Sequence, residues 1–369
     1  MVAQTASSRG FRPLRVSAKI RESDTITSFH LNPVDEGDWR HFEPGQFLVF
    51  KIPGQSDGQS VLRNYSVSCA PGQVGHYRIS VKREAASQPG VPDGLASCYL
   101  HDHVQVGDVL MAEGPRGEFV LDRASNRPVV LLSGGVGLTP LVSMLHALAR
   151  QSERRVVFVH ACDNGSVHAL GDEVRELAAS RNGITSHFVY RFPTAADSAT
   201  ARHHDEGVIT RALLQRLLHL DDYDFYLCGP PPFMQAVYAL VRSLGVARKR
   251  IAYEFFGPAT VLEQDLATQP QATAPAVSTA AACDAGIQIH FRKSGRTAPW
   301  SSDARSLLEF AESVGLTPDF SCRAGVCGTC CTGLLDGQIN YFEEPLDEPP
   351  AHHVLLCCAR PSGSLVLDL

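Results

Sequence analysis

From residue 10 to about residue 123, apolar and polar positions alternate in short runs. Residues 47–52, 77–82 and 109–111 are examples, separated by Pro-Gly, Gly-Gln and Gly-Asp punctuation. That spacing predicts an antiparallel barrel or sandwich. From about residue 128 the pattern becomes apolar strand, glycine turn, helix. Residues 128–133, 156–161 and 224–228 read as strands, and 141–150, 172–179 and 232–244 as helices. Strand-helix alternation predicts a doubly wound α/β domain with a parallel sheet.

Residues 263–284 (EQDLATQPQATAPAVSTAAACD) break the pattern. They are rich in Ala, Thr, Gln and Pro, with no aromatic residue and no period of 2.0 or 3.6, so no core is expected. As a flexible coil this linker spans about 25 Å, and about 70 Å at full stretch. Beyond it, residues 287–291 alternate as a strand. Ser302 or Asp303 caps a helix running to Val314, with Leu307, Leu308, Phe310 and Ala311 on its apolar face. A cysteine-rich loop, a strand at 332–335, an Asp336-Gly337 turn and a closing strand at 364–369 complete a small α+β module. The expected organisation is a tail (1–9), a β-barrel (10–123), an α/β domain (124–262), the linker (263–284) and the α+β module (285–369).

Composition narrows the function classes. A chain of 369 residues, 44% hydrophobic, is long enough for two or three domains with cores of their own. Thirty-three Lys and Arg stand against 39 Asp and Glu, a net charge of −6, which leaves no electrostatic footprint for nucleic acid or an anionic membrane. There is no uninterrupted apolar run of about 18 residues. The N-terminus, MVAQTASSRG, lacks a secretory layout. A cytoplasmic protein without a membrane partner is expected.

Eleven cysteines, seven of them after position 280, point to metal chemistry rather than a disulfide framework. Cys322-x4-Cys327-x2-Cys330, with a distant cysteine near 357, has the plant-type spacing for a 2Fe-2S cluster. A loop supplies three thiolates, because Gly325 and Gly328 permit the tight backbone that aims N–H groups at sulfur. The fourth comes from a separate strand. A structural zinc site and free buried thiols are the alternatives. Zinc usually shows paired short Cys spacings, and only one is present.

Three further patches suit an electron-transfer enzyme. Arg63-Asn64-Tyr65-Ser66 ends a barrel strand. An Arg fork suits a phosphate, an aromatic ring stacks on a flavin, and a hydroxyl can hydrogen-bond a ring nitrogen. About thirty residues later, Gly94-Leu95-Ala96-Ser97 can present N–H groups to a pyrophosphate. Gly134 to Pro140 (GGVGLTP) lies between a strand and a helix, where glycines let a dinucleotide approach the backbone. Cys228-Gly229 sits at a later strand's carboxyl end, the edge where open α/β sheets bind ligands.

In this order the patches resemble the ferredoxin–NADP reductase superfamily over residues 10 to about 260. The reductase half of flavohaemoglobins is especially similar, through ISVKRE (79–84), YLHD (99–102) and YEFFGP (253–258). Nothing here corresponds to their globin half. The C-terminal module resembles a plant-type ferredoxin, a β-grasp domain whose fourth ligand begins a Cys-x-Ala-x-Pro stretch. Cys357-Cys358-Ala359-Arg360-Pro361 matches with Cys357 as ligand, and Cys358 then points to the other face of its strand. The combination resembles reductase components of Rieske-type oxygenases.

The resemblance implies roles. Arg63 pairs with a flavin phosphate, Tyr65 packs on the isoalloxazine and Ser66 faces its N5. The Val81-Lys82 backbone lines the pyrimidine side, and Gly94, Leu95, Ala96 and Ser97 hold the pyrophosphate. Gly135, Val136, Gly137, Leu138, Thr139, Cys228 and Gly229 hold the nicotinamide nucleotide, with Cys228 near the reacting carbon. Phe256 covers the flavin face. Metal ligands are Cys322, Cys327, Cys330 and Cys357. FAD is favoured over FMN. Asp163, beyond the second α/β strand, suits the ribose hydroxyls of NADH and repels a 2′-phosphate.

A flavin between NADH and the cluster converts a two-electron donor into single electrons. The expected function is NADH-dependent reduction of a terminal oxygenase, most simply a Rieske non-haem iron enzyme. A diiron hydroxylase, desaturase, haem protein or hybrid-cluster protein is the alternative acceptor, and a redox sensor the alternative class. Residues 285–369 carry six basic and ten acidic residues, four of the acids within 343–348, which suits docking on a basic partner. The free protein is expected to be monomeric.

Overall fold

The computed structural model describes residues 10–54, 60–85, 93–256, 287–301, 304–320, 323–326 and 328–369. The chain divides into two compact units at residues 257/258. The expected linker, 263–284, lies outside the described residues.

Six antiparallel strands open the first unit: β1 (Arg12–Arg21), β2 (Ile26–Pro33), β3 (Phe47–Pro53), β4 (Ser60–Ser66), β5 (Tyr77–Lys82) and β6 (Val109–Arg116). Their order is β4-β3-β6-β1-β2-β5, and a bridge between Val67 and Ile79 joins the two edges into a barrel. Alternation fills the interior: Leu14, Val16, Phe29, Leu31, Phe50 and Ile79 are fully buried. Each such side chain contributes about 1.5–3 kcal/mol by leaving water. Gly94 caps helix α1 (Leu95–His103), and Leu95, Ala96 and Ser97 open it. Lys19 Nζ donates to the carbonyls of His101 and Val104 and closes the helix's carboxyl end.

The second half of this unit contains β7 (Val129–Gly134), α2 (Leu138–Gln151), β8 (Val156–Cys162), α3 (Gly171–Ala179), β9 (Ile184–Tyr190), α4 (Ala195–Thr200), β10 (Asp205–Glu206), α5 (Arg211–Leu217), β11 (Asp224–Gly229), α6 (Pro231–Ser243) and β12 (Ile251–Phe255). All paired strands are parallel, in the order β10-β9-β8-β7-β11-β12. Every residue of β7 and β11 is buried, as expected of strands covered on both faces. Helix α2 starts at Leu138, earlier than the sequence pattern predicts, because Pro140 sits in the first turn, where no N–H is needed. The chain runs from β7 outward to β8, then returns to β11 on the other side. The ends of β7 and β11 therefore flank a topological switch point.

The second unit comprises β13 (Gln288–Phe291), β14 (Arg296–Pro299), α7 (Leu307–Ser313), β15 (Cys331–Asp336), β16 (Ile339–Tyr341), β17 (His353–Leu355), β18 (Ala359–Pro361) and β19 (Leu365–Leu367). A mixed sheet, β14-β13-β19-β15-β17, packs α7 over Phe291, Leu356 and Leu367, and β16 pairs with β18. The helix cap differs from the sequence expectation. Ser306, not Ser302 or Asp303, caps α7, its Oγ accepting from the Glu309 N–H at 3.2 Å. Ser306-Leu307-Leu308-Glu309 has the Ser-x-x-Glu signature of a helix start. Residues 302 and 303 lie outside the described residues.

Candidate flavin, nucleotide and cluster sites

The barrel presents its candidate flavin groups on β4, β5 and α1. Arg63 is exposed, and its Nη1 donates to the adjacent Leu62 carbonyl at 2.8 Å. Tyr65 is half-buried against Phe50, and burial pushes its phenol pKa up. Ser66 is buried. Val81 is buried on β5, where its carbonyl lies 2.8 Å from His101 Nε2, and Lys82 pairs with Glu84. Gly94 spends its N–H on the Glu84 carbonyl at 2.7 Å. Leu95, Ala96 and Ser97 form the first turn of α1, where backbone N–H groups have no partner one turn back. Ser97 Oγ bridges the Gly94 carbonyl and the Glu84 N–H.

The nucleotide loop is held by contact with the neighbouring strand. Gly135, Val136 and Gly137 form a 3-10 turn leading into Leu138 and Thr139 of α2, and Thr139 Oγ1 donates to the Val136 carbonyl. A Cβ on Gly137 would lie 2.2 Å from the Cys228 carbonyl oxygen and 2.6 Å from the Gly229 nitrogen. Only glycine lets the loop lie on the end of β11. The Phe233 ring occupies the space beside Gly134 and Gly229, so it serves as packing. Phe256 follows β12 and donates its N–H to the Gly229 carbonyl at 3.4 Å. Asp163 is exposed beyond β8. The N–H groups of Arg191 and Phe192 bond the carbonyls of Cys162 and Asp163, so the backbone of Arg191 lies next to that edge, with its guanidinium over the Phe192 ring. Sequence neighbours alone, which contain no basic residue within 162–167, do not reveal it.

Where barrel and sheet meet, Ser66, Cys228 and Glu254 converge. Cys228 and Glu254 are register partners on β11 and β12. Burial pushes the Cys228 thiol pKa well up, and the Glu254 carboxyl adds to this. Burial also raises the Glu254 pKa to about 8, against a smaller opposing effect from the facing Ser66 hydroxyl. Among the described residues, neither Ser66 Oγ nor Glu254 Oε2 finds a hydrogen-bond partner of ordinary geometry. Such orphaned buried atoms need a partner. They fit a flavin edge, and the exposed Arg63 and the α1 amides fit its phosphates. Glu254 had no assigned role from sequence. Its signal is an acid between the aromatic residues Tyr253 and Phe255 in a strand next to Cys228-Gly229.

In the second unit, Cys330 and Cys357 are buried at 3% and 4% exposure. Cys322 and Cys327 lie outside the described residues. The Gly325 N–H donates to Cys357 Sγ at 3.2 Å, the bond expected of a thiolate that binds metal. Arg323, Gly325 and Gly328 all have left-handed φ, at 54°, 67° and 71°. Backbone of this kind turns N–H groups toward one concave side. These features fit a 2Fe-2S cluster. One expectation is corrected: Cys357 and Cys358 lie in a 3-10 turn (Leu356–Cys358), not on a strand. Strand alternation therefore does not separate their side chains. Cys358 is instead fully buried in the core, with Sγ 3.6 Å from the Leu355 carbonyl and filling the space beside Gly325.

Three family models match. An oxidoreductase FAD-binding domain matches residues 13–121, an oxidoreductase NAD-binding domain 131–239, and a 2Fe-2S iron-sulfur cluster binding domain 289–362. A flavohemoprotein of Bacillus thuringiensis subsp. konkukian is 43% identical over 256 residues, 69% of this chain and 63% of that protein. The chain thus spans less than two thirds of such a relative. The flavohem-like FAD/NAD binding domain of nitric oxide dioxygenase from Vibrio cholerae is 38% identical. It superposes with a TM-score of 0.60 over 68% of this chain and all of its own. Phthalate dioxygenase reductase shares the fold over 98% of both chains, with a TM-score of 0.56 and 22% identity. Among the described residues, no helix is long and apolar enough to cross a membrane.

Proposed function

Because the chain belongs to the FAD- and NAD-binding oxidoreductases of the ferredoxin–NADP reductase type, with a 2Fe-2S domain behind them, we propose that it carries electrons from NADH to an external protein. The convergence of Ser66, Cys228 and Glu254 beside the Gly135–Gly137 turn carries this reading. When bound, FAD accepts a hydride and releases electrons singly, and the cluster takes them one at a time.

In this reading Arg63 holds a flavin phosphate, the first turn of α1 holds the pyrophosphate, and Tyr65 packs on the ring. Gly135 to Thr139 seat the dinucleotide phosphates, and Cys228-Gly229 seat the nicotinamide. Phe256 covers the flavin face until the nicotinamide arrives. Glu254 keeps its proton up to about pH 8 and faces Ser66, so the pair can hold and pass a proton where Ser66 Oγ meets the flavin. Cys322, Cys327, Cys330 and Cys357 hold the cluster.

The acceptor we propose is a terminal oxygenase of the Rieske non-haem iron class, docking on the second unit beside the cluster loop. The acidic segment 343–348 is tied to that loop, the Leu346 N–H bonding the Gly325 carbonyl at 2.8 Å. Nearby cations are engaged: Arg323 with Glu312, Arg305 with Glu309, and Arg360 over the Phe342 ring. A basic partner would be steered there, and its reduction rate would fall with salt. A haem protein is the second reading, favoured by the 43% identity to flavohemoproteins.

The test mixes the protein, NADH and a candidate oxygenase and follows product. Product formation supports the first reading. NADH-driven cytochrome c reduction without oxygenase product, but with reduction of a haem partner, supports the second. Failure to reduce either cytochrome c or ferricyanide with NADH overturns both.

A further inference from the structure

A buried ionic cluster joins the barrel to the α/β domain of the first unit, away from the candidate redox groups. Arg78 of β5 grips Glu173 of α3 with both ends of its guanidinium, at 2.7 and 2.9 Å. His146 of α2 reaches the same carboxylate through Nε2 at 2.5 Å. Side-chain exposures are 10%, 24% and 11% for Arg78, Glu173 and His146, so this is not a solvated surface pair.

Each end of the cluster leads to a candidate site. Arg78 Nε donates to Ser68 Oγ at 3.1 Å and its Nη2 to the Ser68 carbonyl. Ser68 lies two residues beyond Ser66, and its hydroxyl continues to Ser80 and Ser28 at 2.9 and 2.7 Å. The other end is His146, eight residues along α2 from Leu138, where the nucleotide loop enters the helix. That separation is about 12 Å of rigid helix. One carboxylate therefore ties, through Arg78, the segment just beyond Ser66 to the helix into which the Gly135–Gly137 turn leads.

We propose that Glu173 is a positioning residue for hydride transfer, holding the nucleotide loop in register with the flavin strand by binding Arg78 and His146 at once. The inference rests on the reading that NADH reduces the flavin in this unit. Hydride transfer is steep in donor–acceptor geometry, and a misplacement of about 1 Å costs about a hundredfold in rate. Without Glu173 the buried Arg78 and His146 would lose their shared acceptor, and the two halves would settle differently.

The test uses the full chain loaded with FAD and cluster, mixed anaerobically with NADH in a stopped-flow instrument. For Glu173→Ala, the limiting rate of flavin bleaching should fall by about ten- to a hundredfold. The NADH concentration for half-maximal rate should change less than about twofold, and flavin content and cluster absorbance should stay at wild-type values. Glu173→Gln, which keeps the shape and one acceptor, should recover part of the rate. A limiting rate unchanged in Glu173→Ala overturns the proposal. So does flavin loss in proportion to the lost rate, which marks a structural role. If Glu173→Ala does not fold, Arg78→Lys is judged by the same two criteria, and failure of both to retain flavin also overturns it. Absence of flavin bleaching in the wild-type protein would instead defeat the underlying reading.

Discussion

In the second unit the candidate redox site is four side chains of one kind, three of them close together in sequence at 322, 327 and 330. In the first unit it is spread over β4, β5, α1, α2, β11 and β12, and draws on side chains of several kinds as well as backbone N–H groups. The proposed cluster site rests on a set of four thiolates, and Cys358, beside Cys357, is packed into the core with its Sγ 3.6 Å from the Leu355 carbonyl. The proposed flavin and nucleotide site has many separate holds, and in our proposal its geometry depends on contacts such as Gly137 on Cys228 and Arg78 on Glu173. Loss of one group should be all-or-none in the second unit and graded in the first.

The largest effect should come from Cys327→Ser. It should abolish the cluster's visible spectrum and cytochrome c reduction, yet spare ferricyanide reduction by the flavin. Loss of both activities would mean that the units do not act separately. Next comes Gly137→Ala. The added Cβ meets backbone atoms that cannot yield, so the loop must lift from β11. Flavin reduction by NADH should fall about a hundredfold while flavin stays bound, measured by stopped flow and absorbance.

Acid should separate the units more gently. Burial, reinforced by His76 and Arg78, lowers the His30 pKa to about 4. Burial pushes Glu173 up, but His146 and Arg78 outweigh it and hold the carboxyl near about 2. Both groups bind fewer protons folded than unfolded. Their contribution is fully present above about pH 6.5 and is lost as pH falls, through His30 first and through Glu173 below about 4.5. Thermal unfolding of the first unit, followed by flavin release, should shift to lower temperature over that range. Exposed pairs of the second unit, such as Arg292 with Asp368, add little in comparison. The smallest effect is expected from Cys358→Ser, with an unchanged cluster spectrum and about 1–3 kcal/mol of lost stability from a hydroxyl in an apolar site. A bleached cluster in that variant would show Cys358 to be a ligand.

The chain's fold was largely legible because each architecture has its own period: two in the barrel, strand-then-helix in the sheet. Cysteine spacing and the GGVGLTP loop are local signals, so their chemistry can be read without the fold. What escaped is non-local. Arg78 and Glu173 lie 95 residues apart, and nothing in either segment announces the other. Glu254 gains meaning only because β12 lies beside β11. The backbone of Arg191 and Phe192 comes to lie beside Cys162 and Asp163 only through pairing of neighbouring strand ends. The turn at Cys357-Cys358 and the cap at Ser306 are local, but competing signals stood beside them: a ligand motif read as strand, and two earlier capping residues.

The most direct test of the electron path is anaerobic addition of NADH with flavin and cluster absorbance followed together. The flavin should bleach first and the cluster second. Cys327→Ser should stop after the first step. Flavin that is fully reduced beside a cluster that stays oxidised would contradict the path from NADH through flavin to the 2Fe-2S centre.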